Sequence, residues 1–401
     1  MKWIYDKIQG DKVIWAITIL LALIGIPLIF ISTKELTINF KSGNTYFFVF
    51  KHAFILCLSL VLIYYVQFMN HRYLSKLSVI FMFLTIPLLL FTMISGVASN
   101  QATRWMRIPI VNLSFQTSDF AKLALTIYLA RVLSKKQDLL DDFKQVFVHI
   151  FVPVLIVCGL IVKEDFSTTA LIFGSCLIIM FFGNVKVSHI AMVVGGIVLL
   201  FIILVNIFPD LFPRWPTWVS RLESFLQSVF GSDVTDSTID EIAKNTEGNY
   251  QSNLSKASIV DGGLFGNLLN AGKYPAPPQA ASDFIFSTLI KHFGMVGGFV
   301  TLLLYLLLLF RSIKVAVKST KIFSSLLVIG LAFGIAFQAF SNMAVAVGIF
   351  PVTGQPLPMV SMGGTSIWFT ALSIGIILSV SREVMGDKND DQNHEKPTAG
   401  K

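Results

Sequence analysis

The chain has 401 residues, of which 54% are apolar and only 13% are charged. Its mean hydropathy is +0.73, whereas an ordinary soluble domain carries about 25% charged residues. This composition excludes a soluble enzyme, a disordered chain and a nucleic-acid-binding protein. We interpret the formal net charge of +8 as Lys and Arg held at one face of a lipid bilayer. The sequence therefore predicts a polytopic membrane protein.

The hydrophobic pattern predicts an all-α fold with about ten transmembrane helices. A helix needs roughly 20 apolar residues to cross about 30 Å of hydrocarbon. Segments that meet this requirement occur at 13–31, 47–66, 77–94, 118–133, 146–162, 166–182, 187–208, 284–310, 322–342 and 364–380.

The distribution of Lys and Arg predicts the orientation of these helices. Ten spans place both termini on one side, and the short segments on that side carry most of the cations, whereas the loop at 343–363 has none. The termini are therefore predicted to be cytoplasmic. Residues 1–382 are expected to form a single transmembrane domain. The polar tail at 383–401 is expected to be disordered.

One connection, 209–283, is far longer than the others and is predicted to lie outside the membrane. Loops of this length inside a compact domain are usually functional or disordered. Its first part has aromatic and aliphatic residues at helical spacing, which predicts an amphipathic helix at the bilayer interface. These residues are Trp215, Trp218, Leu222, Phe225 and Leu226.

Four polar features occur at the outer ends of the predicted spans, where charge is costly and usually functional. The first is Arg104-Trp105 with Arg107, Gln116, Asp119 and Lys122, and the second is Lys163-Glu164-Asp165. The third is Asp283, and the fourth is the Gly- and Pro-rich segment 348–366. Taken singly, each could be an interfacial anchor or a turn. Because all four fall on one side, we expect them to line one cavity that opens to the exterior.

Several spaced motifs resemble those of a known family. Arg104-Trp105 followed by Phe115 to Lys122 is similar to R-W…Q-P-S-E-x-A-K, and Pro278 to Phe286 resembles P-E-A-H-T-D-F-I-F. Glu164 to Ala170 resembles Q-P-D-x-G-T-A more loosely. Arg221, Tyr250-Gln251 and Gly262 to Gly266 fit that family's large outer loop. The C-terminal signature is matched by Gln338, Asn342, Pro351 to Gly354, Leu357-Pro358 and Ser361 to Gly364.

On these motifs the chain resembles the SEDS family (shape, elongation, division and sporulation) over residues 13–382. The division branch, FtsW, is the nearer match and the elongation branch, RodA, is the runner-up. The resemblance implies a peptidoglycan glycosyltransferase that polymerises lipid II at the outer face of the cytoplasmic membrane and releases undecaprenyl diphosphate. It places the family's catalytic aspartate on Asp283, which would act as general base.

The resemblance also implies which residues bind the substrates or shape the site. Positive charge is needed near the departing diphosphate, and Arg104, Lys122 and Arg221 are the candidates for that role or for pairing with Asp165 or Asp283. The other residues carried over are Gln116, Asp165, Tyr250, Gln251, Pro351, Thr353, Gly354, Pro358, Ser361, Gly363 and Gly364. A divalent cation, Mg²⁺ or Mn²⁺, could share the phosphate work, although no feature of the sequence demands one.

The chain departs from the family pattern at several positions beside these residues. Thr117 and Asp119 replace the usual Pro and Glu, and Gln279 and Ala281 replace the Glu and His that precede the catalytic aspartate. Farther along, Lys291 and His292 stand in the stretch where the family usually has an acidic G-E-E-x-G.

The implied partners are lipid II and the undecaprenyl-linked glycan strand, a class B penicillin-binding transpeptidase, divisome regulators and the bilayer, with no nucleic acid. The implied location is the inner membrane of a bacterium at the division septum. Two other classes of function stay open. A polar cavity with broken helices also fits a transporter or flippase of lipid-linked sugars, and a scaffold that only recruits a transpeptidase would not need Asp283.

Overall fold

The computed structural model describes residues 9–40, 44–95, 97–99, 102–108, 113–162, 165–207, 247–267 and 274–394, with single residues at 219, 223 and 226. Within these ranges the chain is nearly all helical. The helices are α1 (Lys12–Phe40), α2 (Thr45–Val66), α3 (Arg72–Ser95), α4 (Thr117–Lys135), α5 (Phe143–Val162), α6 (Phe166–Phe182), α7 (Val187–Ile207), α8 (Glu247–Gly262), α9 (Ile285–Lys318), α10 (Ile322–Ala346) and α11 (Thr365–His394).

Every predicted span coincides with one of these helices. Among the described residues, eight helices are long and apolar enough to cross a membrane: α1, α2, α3, α5, α7, α9, α10 and α11. Helix α6 is apolar but has only 17 residues, and α4 carries Asp119, Lys122, Arg131 and Lys135 along its 19 residues. The chain is thus a multi-pass helical membrane protein. The total of ten spans and the side on which the termini lie stay predictions.

Several helices extend beyond the predicted spans because hydropathy detects only the part that lies in hydrocarbon. Helix α1 continues to Phe40 and α9 to Lys318. Helix α11 continues to His394, so the expectation of a disordered tail from residue 383 is corrected for 383–394. Glu383, at the start of this extension, forms ion pairs with Arg72 and Lys321, which hold its first turn against the bundle. Residues 395–401 lie outside the described part of the chain.

A small antiparallel sheet precedes α4 and was not predicted. Strands β1 (Val97–Ser99), β2 (Ala102–Ile108) and β3 (Leu113–Gln116) are ordered β1-β2-β3. Residue Trp105 is paired with Gln116, so the sheet places the Arg104-Trp105 segment directly beside the start of α4. The fold is therefore helical with one three-stranded element, where the sequence analysis expected only helices.

The centre of the bundle is formed by α4, α10 and α11. In the most apolar 18-residue window of α11, 78% of residues are buried, compared with 6% in α7 at the periphery. Gly330 on α10 permits this packing, because a Cβ atom there would lie only 2.5 Å from Ile179 on α6 and 2.7 Å from Thr126 on α4. Peripheral helices expose apolar side chains such as Phe50 and Phe299, as expected for surfaces that face lipid.

Charged residues from the segments predicted to be cytoplasmic meet at one end of the bundle. The Arg311 guanidinium donates to the Asp11 carboxylate from Nη2 (2.5 Å) and Nε (3.0 Å), which ties the start of α1 to α9. Glu383 accepts from Arg72 at 2.9 Å and also contacts Lys321 and His71. The positively charged segments therefore share one end, as the charge pattern indicates.

Helix α9 is interrupted at Gly294, whose backbone (φ 70°, ψ −178°) is not helical. The segment after α8 occupies the break: Met295 N donates to Gly263 O at 2.9 Å, and Asn267 N donates to Lys291 O at 3.0 Å. These bonds satisfy backbone groups that the interruption frees, which is what allows a broken helix at membrane depth. A Cβ atom on Gly294 would lie 2.2 Å from Leu264 O.

Replacing Gly294 with Ala is therefore expected to lower the thermal unfolding temperature of the purified protein. The left-handed backbone costs a non-glycine residue about 1–3 kcal/mol, and the clash with Leu264 O adds to this cost. Gly196→Ala is the matched control. A Cβ atom at Gly196 meets nothing within 4 Å, and Ala favours a helix over Gly, so its unfolding temperature should stay equal or rise. Equal unfolding temperatures for the two variants would contradict this account of the break.

Candidate active site

The segment between α10 and α11, residues 347–364, has no regular structure although it lies among buried helices. Three glycines in it have left-handed backbone, Gly348 (φ 79°), Gly354 (φ 67°) and Gly364 (φ 53°), as does the non-glycine Met359 (φ 63°). The prediction that this segment breaks helical structure is therefore correct. Inside a membrane protein, the backbone N–H and C=O groups of this segment that form no helical hydrogen bond need partners from neighbouring helices.

Asn342 on α10 supplies the central pair of these partners. Its side-chain amide donates to the backbone carbonyl of Asp283 (2.7 Å) and to that of Gln355 (2.7 Å). Asn342 is only 1% exposed, so the two bonds lie in a low-dielectric environment where an unmade bond is costly. One amide thus holds the predicted catalytic residue against the irregular segment.

Ser361 and Tyr305 hold the same two segments together from other directions. The Ser361 hydroxyl donates to Ser282 O (2.6 Å) and accepts from Leu357 N (2.7 Å). Met362 N donates to Ala281 O at 2.9 Å, and the Tyr305 hydroxyl donates to Pro358 O at 2.5 Å. Residues 281–283 and 357–362 therefore form one hydrogen-bonded unit. Sequence motifs some 80 residues apart meet in this unit.

The Asp283 side chain lies at the boundary between this unit and more open space. It is half-buried, whereas its neighbours Phe284 (0% exposed) and Ala280 (0%) are fully buried. A Cβ atom on Gly354 would lie 3.5 Å from Asp283 Oδ2, so the backbone of Gly354 passes close to the carboxylate. An accessible carboxylate on a fixed backbone, with an apolar wall behind it, is suited to accept a proton.

Asp165 joins the same unit through the start of α6. Its carboxylate caps that helix, accepting from Thr168 N (3.0 Å) and from the Thr168 hydroxyl (2.5 Å). The Thr168 hydroxyl in turn accepts from Gln355 Nε2 at 2.7 Å. Asp165 is 4% exposed. It is thus connected to the irregular segment, and it fixes the position of α6.

Lys122 and Asp119 on α4 approach from the opposite side. The Lys122 ammonium donates to Gln338 Oε1 (2.8 Å) and lies 3.7 Å from Asp119 Oδ1. Gln338 Nε2 donates to Pro356 O at 2.9 Å. Asp119 and Lys122 line a narrow cavity that continues between α4, α10 and α11 past Thr126, Thr370 and Ser373.

Gln338 and Asn342 are four residues apart on α10 and therefore lie on the same face, about 6 Å apart along its axis. Because Gln338 binds Lys122 and Asn342 binds the Asp283 backbone, this face brings a cation and a carboxylate to one region. The structure thus brings Lys122, Asp165, Asp283 and the 351–364 segment close to one another. The single cavity open to the exterior stays a prediction.

The remaining predicted site residues have other positions. Gln116 ends β3, where its backbone N–H donates to Thr365 Oγ1 (3.3 Å), beside Gly363 and Gly364. Tyr250 and Gln251 lie half-buried on α8, which is anchored by the bond from Ser255 Oγ to Ala346 O (2.9 Å). Pro351 and Thr353 are half-buried. Arg104 is in β2, where only the backbone is described, and Arg221 and most of the predicted interfacial helix lie outside the described residues.

Five residues that organise the site through their hydrogen bonds were not among the predicted site residues. Asn342 and Gln338 belonged to the matched C-terminal signature, and a polar amide in an apolar span is costly enough to be a signal. Gln355 lies within the predicted segment, where the neighbouring Gly and Pro residues are the stronger signal. Thr168 belongs to the loosely matched segment Glu164 to Ala170. Tyr305 has no signal in the sequence alone, because its partner Pro358 is 53 residues away.

The chain has relatives among known proteins. The family model described as "Cell cycle protein" (FTSW_RODA_SPOVE) matches residues 11–386. The chain is 28% identical over 388 residues to stage V sporulation protein E of Bacillus subtilis, covering 94% of this chain and 98% of that protein. It is 32% identical over 295 residues, 73% of each chain, to a probable peptidoglycan glycosyltransferase FtsW of Geobacter sulfurreducens.

Two solved structures have the same fold. The rod shape determining protein RodA of Thermus thermophilus matches with a TM-score of 0.62 and 23% identity, over 93% of this chain and 97% of that one. A chain of a peptidoglycan synthase complex matches with a TM-score of 0.71 and 23% identity, over 94% and 98% of the two chains. With the family model matching almost the whole chain, the resemblance drawn from the motifs is confirmed: this protein belongs to the FtsW/RodA/SpoVE (SEDS) family.

Proposed function

We propose that this protein is a peptidoglycan glycosyltransferase that polymerises lipid II, with Asp283 as the general base. The observation that carries the proposal is the position of Asp283. Its backbone carbonyl accepts a hydrogen bond from Asn342, and its side chain is half-buried beside Gly354. Lys122 is bound by Gln338, which lies one helical turn from Asn342 on the same face of α10.

The glycosyl transfer requires a base for the acceptor hydroxyl and positive charge for the departing diphosphate. In an inverting transfer, the acceptor sugar hydroxyl attacks the anomeric carbon of the lipid-linked strand. Its proton passes to Asp283 as undecaprenyl diphosphate departs with the bonding electrons. Positive charge stabilises the departing diphosphate, and Lys122, with Arg104 and Arg221, is proposed for that role.

The FtsW-type relative supports assignment to septal wall synthesis in cell division, with an elongation role as the alternative. We propose that the protein works at the division septum with a single-span class B penicillin-binding transpeptidase and with divisome regulators. The likeness to a chain of a peptidoglycan synthase complex supports a transpeptidase partner. The multi-pass helical fold places the protein in a membrane.

Asp283→Asn is expected to reduce polymerisation by ~10²–10⁴-fold, the usual contribution of general-base catalysis, without loss of folded protein. The assay uses purified full-length protein, reconstituted with lipid II and the partner transpeptidase, and resolves glycan strands on a gel. Asp141→Asn is the matched control, because the Asp141 side chain is 85% exposed and its ion pair with Lys186 contributes little.

Substantial polymer from a well-folded Asp283→Asn protein would contradict the assignment of the base. Movement of lipid II across sealed vesicles without any polymer, with the cognate partner present, would instead favour a transporter.

Asn342→Leu is expected to lower kcat at least ~10-fold and to lower stability by about 1–3 kcal/mol, because two buried carbonyls lose their donor. The measurements are initial rates of lipid II polymerisation and thermal unfolding. Asn206→Leu is the control: it removes an amide bond to Ile202 O (2.7 Å) on the exposed surface of α7 and should leave kcat unchanged. Equal kcat values for the two variants would show that Asn342 does not position Asp283.

We also propose that Mg²⁺ or Mn²⁺ enters the reaction bound to the lipid diphosphate. Within the described ranges, no group of three or more His, Cys, Asp or Glu side chains is placed to hold a metal ion. EDTA is therefore expected to suppress polymerisation, and either cation to restore it, while neither cation changes the unfolding temperature of the protein without lipid II. A cation that raises the unfolding temperature of the protein alone would indicate a resident site.

A further inference from the structure

A second buried group of charges lies toward the C-terminal end of α1, on the side predicted to be outer and away from the cavity beside Lys122. The Lys291 ammonium donates to Glu35 Oε1 at 2.9 Å, and His292 Nε2 lies 3.2 Å from the same oxygen. The Lys291 side chain is 1% exposed, that of His292 4% and that of Glu35 13%. We call Glu35, Lys291 and His292 the outer clamp.

The outer clamp joins the two sides of the segment that carries Asp283. Besides Glu35, the Lys291 ammonium donates to the backbone carbonyl of Tyr274 at 3.1 Å. Tyr274 precedes Asp283 in the chain and Lys291 follows it, so this bond closes a loop that contains Asp283. Glu35 then fixes the closed loop to α1.

His292 extends the outer clamp to the segment that follows α8. Its Nδ1 lies 3.2 Å from Asn267 O, and its Nε2 faces the Glu35 carboxylate. The ring therefore lies between two oxygen atoms, Asn267 O and Glu35 Oε1. Asn267 is itself bound to Lys291 O and to Asp261 O. The outer clamp therefore joins α1, the end of α8 and the start of α9.

Lys291 is buried in its ion pair with Glu35, and this burial indicates that the pair has a specific role. A lysine is almost never fully buried unless it is paired, and removing one partner of a buried ion pair leaves an uncompensated charge. The same two helices, α1 and α9, are already tied at their other end by Asp11 and Arg311. A second buried pair is thus not needed merely to hold α1 against α9.

We infer that the outer clamp positions Asp283 for proton transfer: Lys291 and Glu35 are positioning residues that fix the loop from Tyr274 to Asp283 relative to the bundle. This inference rests on the proposed glycosyltransferase function. Lys291 and Glu35 act on the reaction through the Asp283 backbone and touch no reacting atom. Their loss should therefore lower kcat and leave the KM for lipid II little changed.

The test compares three variants of the full-length protein, each reconstituted with lipid II and the partner transpeptidase. Lys291→Met removes the bonds to Tyr274 and Glu35, and Glu35→Met/Lys291→Met removes both charges. Arg311→Met is the matched control, because it breaks the α1–α9 ion pair at the other end. For each variant, kcat, KM and the thermal unfolding temperature are measured.

Lys291→Met is expected to lower kcat at least ~10-fold with KM within ~3-fold of wild type, and to lower the unfolding temperature. The double variant should recover much of the unfolding temperature, since an apolar pair often replaces a buried ion pair without loss of stability. Its kcat should stay low, because the Tyr274 carbonyl is still released. Arg311→Met should lower the unfolding temperature and keep kcat within ~2-fold of wild type.

Two results would overturn the inference. One is a folded Lys291→Met protein with the kcat of wild type. The other is a double variant that recovers kcat together with stability, which would make the outer clamp a stabilising contact only. Should Lys291→Met yield no folded protein, the double variant alone decides. A wild-type protein that makes no polymer with its cognate partner would instead contradict the proposed function.

Discussion

The structure depends on one constraint: backbone polar groups that are not in helices must find partners inside the protein when they lie at membrane depth. In the described part of the chain, helical structure is broken in this way at 347–364 and at Gly294. In the first, Gln338, Asn342 and Tyr305 supply side-chain donors to carbonyls. In the second, the segment after α8 supplies its own backbone. Each break is therefore paired with a specific piece of chain that satisfies it.

The same bonds that satisfy the backbone also build the site. Asn342 binds the carbonyl of Asp283 as well as that of Gln355, and Ser361 joins Ser282 to Leu357. Under the proposed function, folding and catalysis therefore depend on the same hydrogen bonds. A substitution among them acts on both, which is why the KM, the kcat and the stability need to be separated for each variant.

The sequence was sufficient for the helices and for the convergence of the polar features, because hydropathy and the cost of buried charge are local properties. It also nominated Asp283 as the candidate base, because that residue lies in a contiguous motif. It was not sufficient for the sheet at 97–116, whose pairing depends on contacts between strands. Nor did it reveal that Lys291 would find Glu35, because that pair joins residues 256 positions apart. Helix extensions such as α11 beyond Glu383 depend on ion pairs that hydropathy does not detect.

The two ion pairs that link α1 to α9 have a consequence for biosynthesis. Their partners are separated by 300 and 256 residues, so Asp11 and Glu35 enter the membrane long before Arg311 and Lys291 are made. At about 5–20 residues per second, the first helix waits on the order of tens of seconds with both carboxylates unpaired. During that time α1 is held only by its neighbours or by the insertion machinery. Closure of the bundle around α1 is accordingly a late, post-insertion step, and a chain truncated before α9 would leave α1 permanently without its counter-charges.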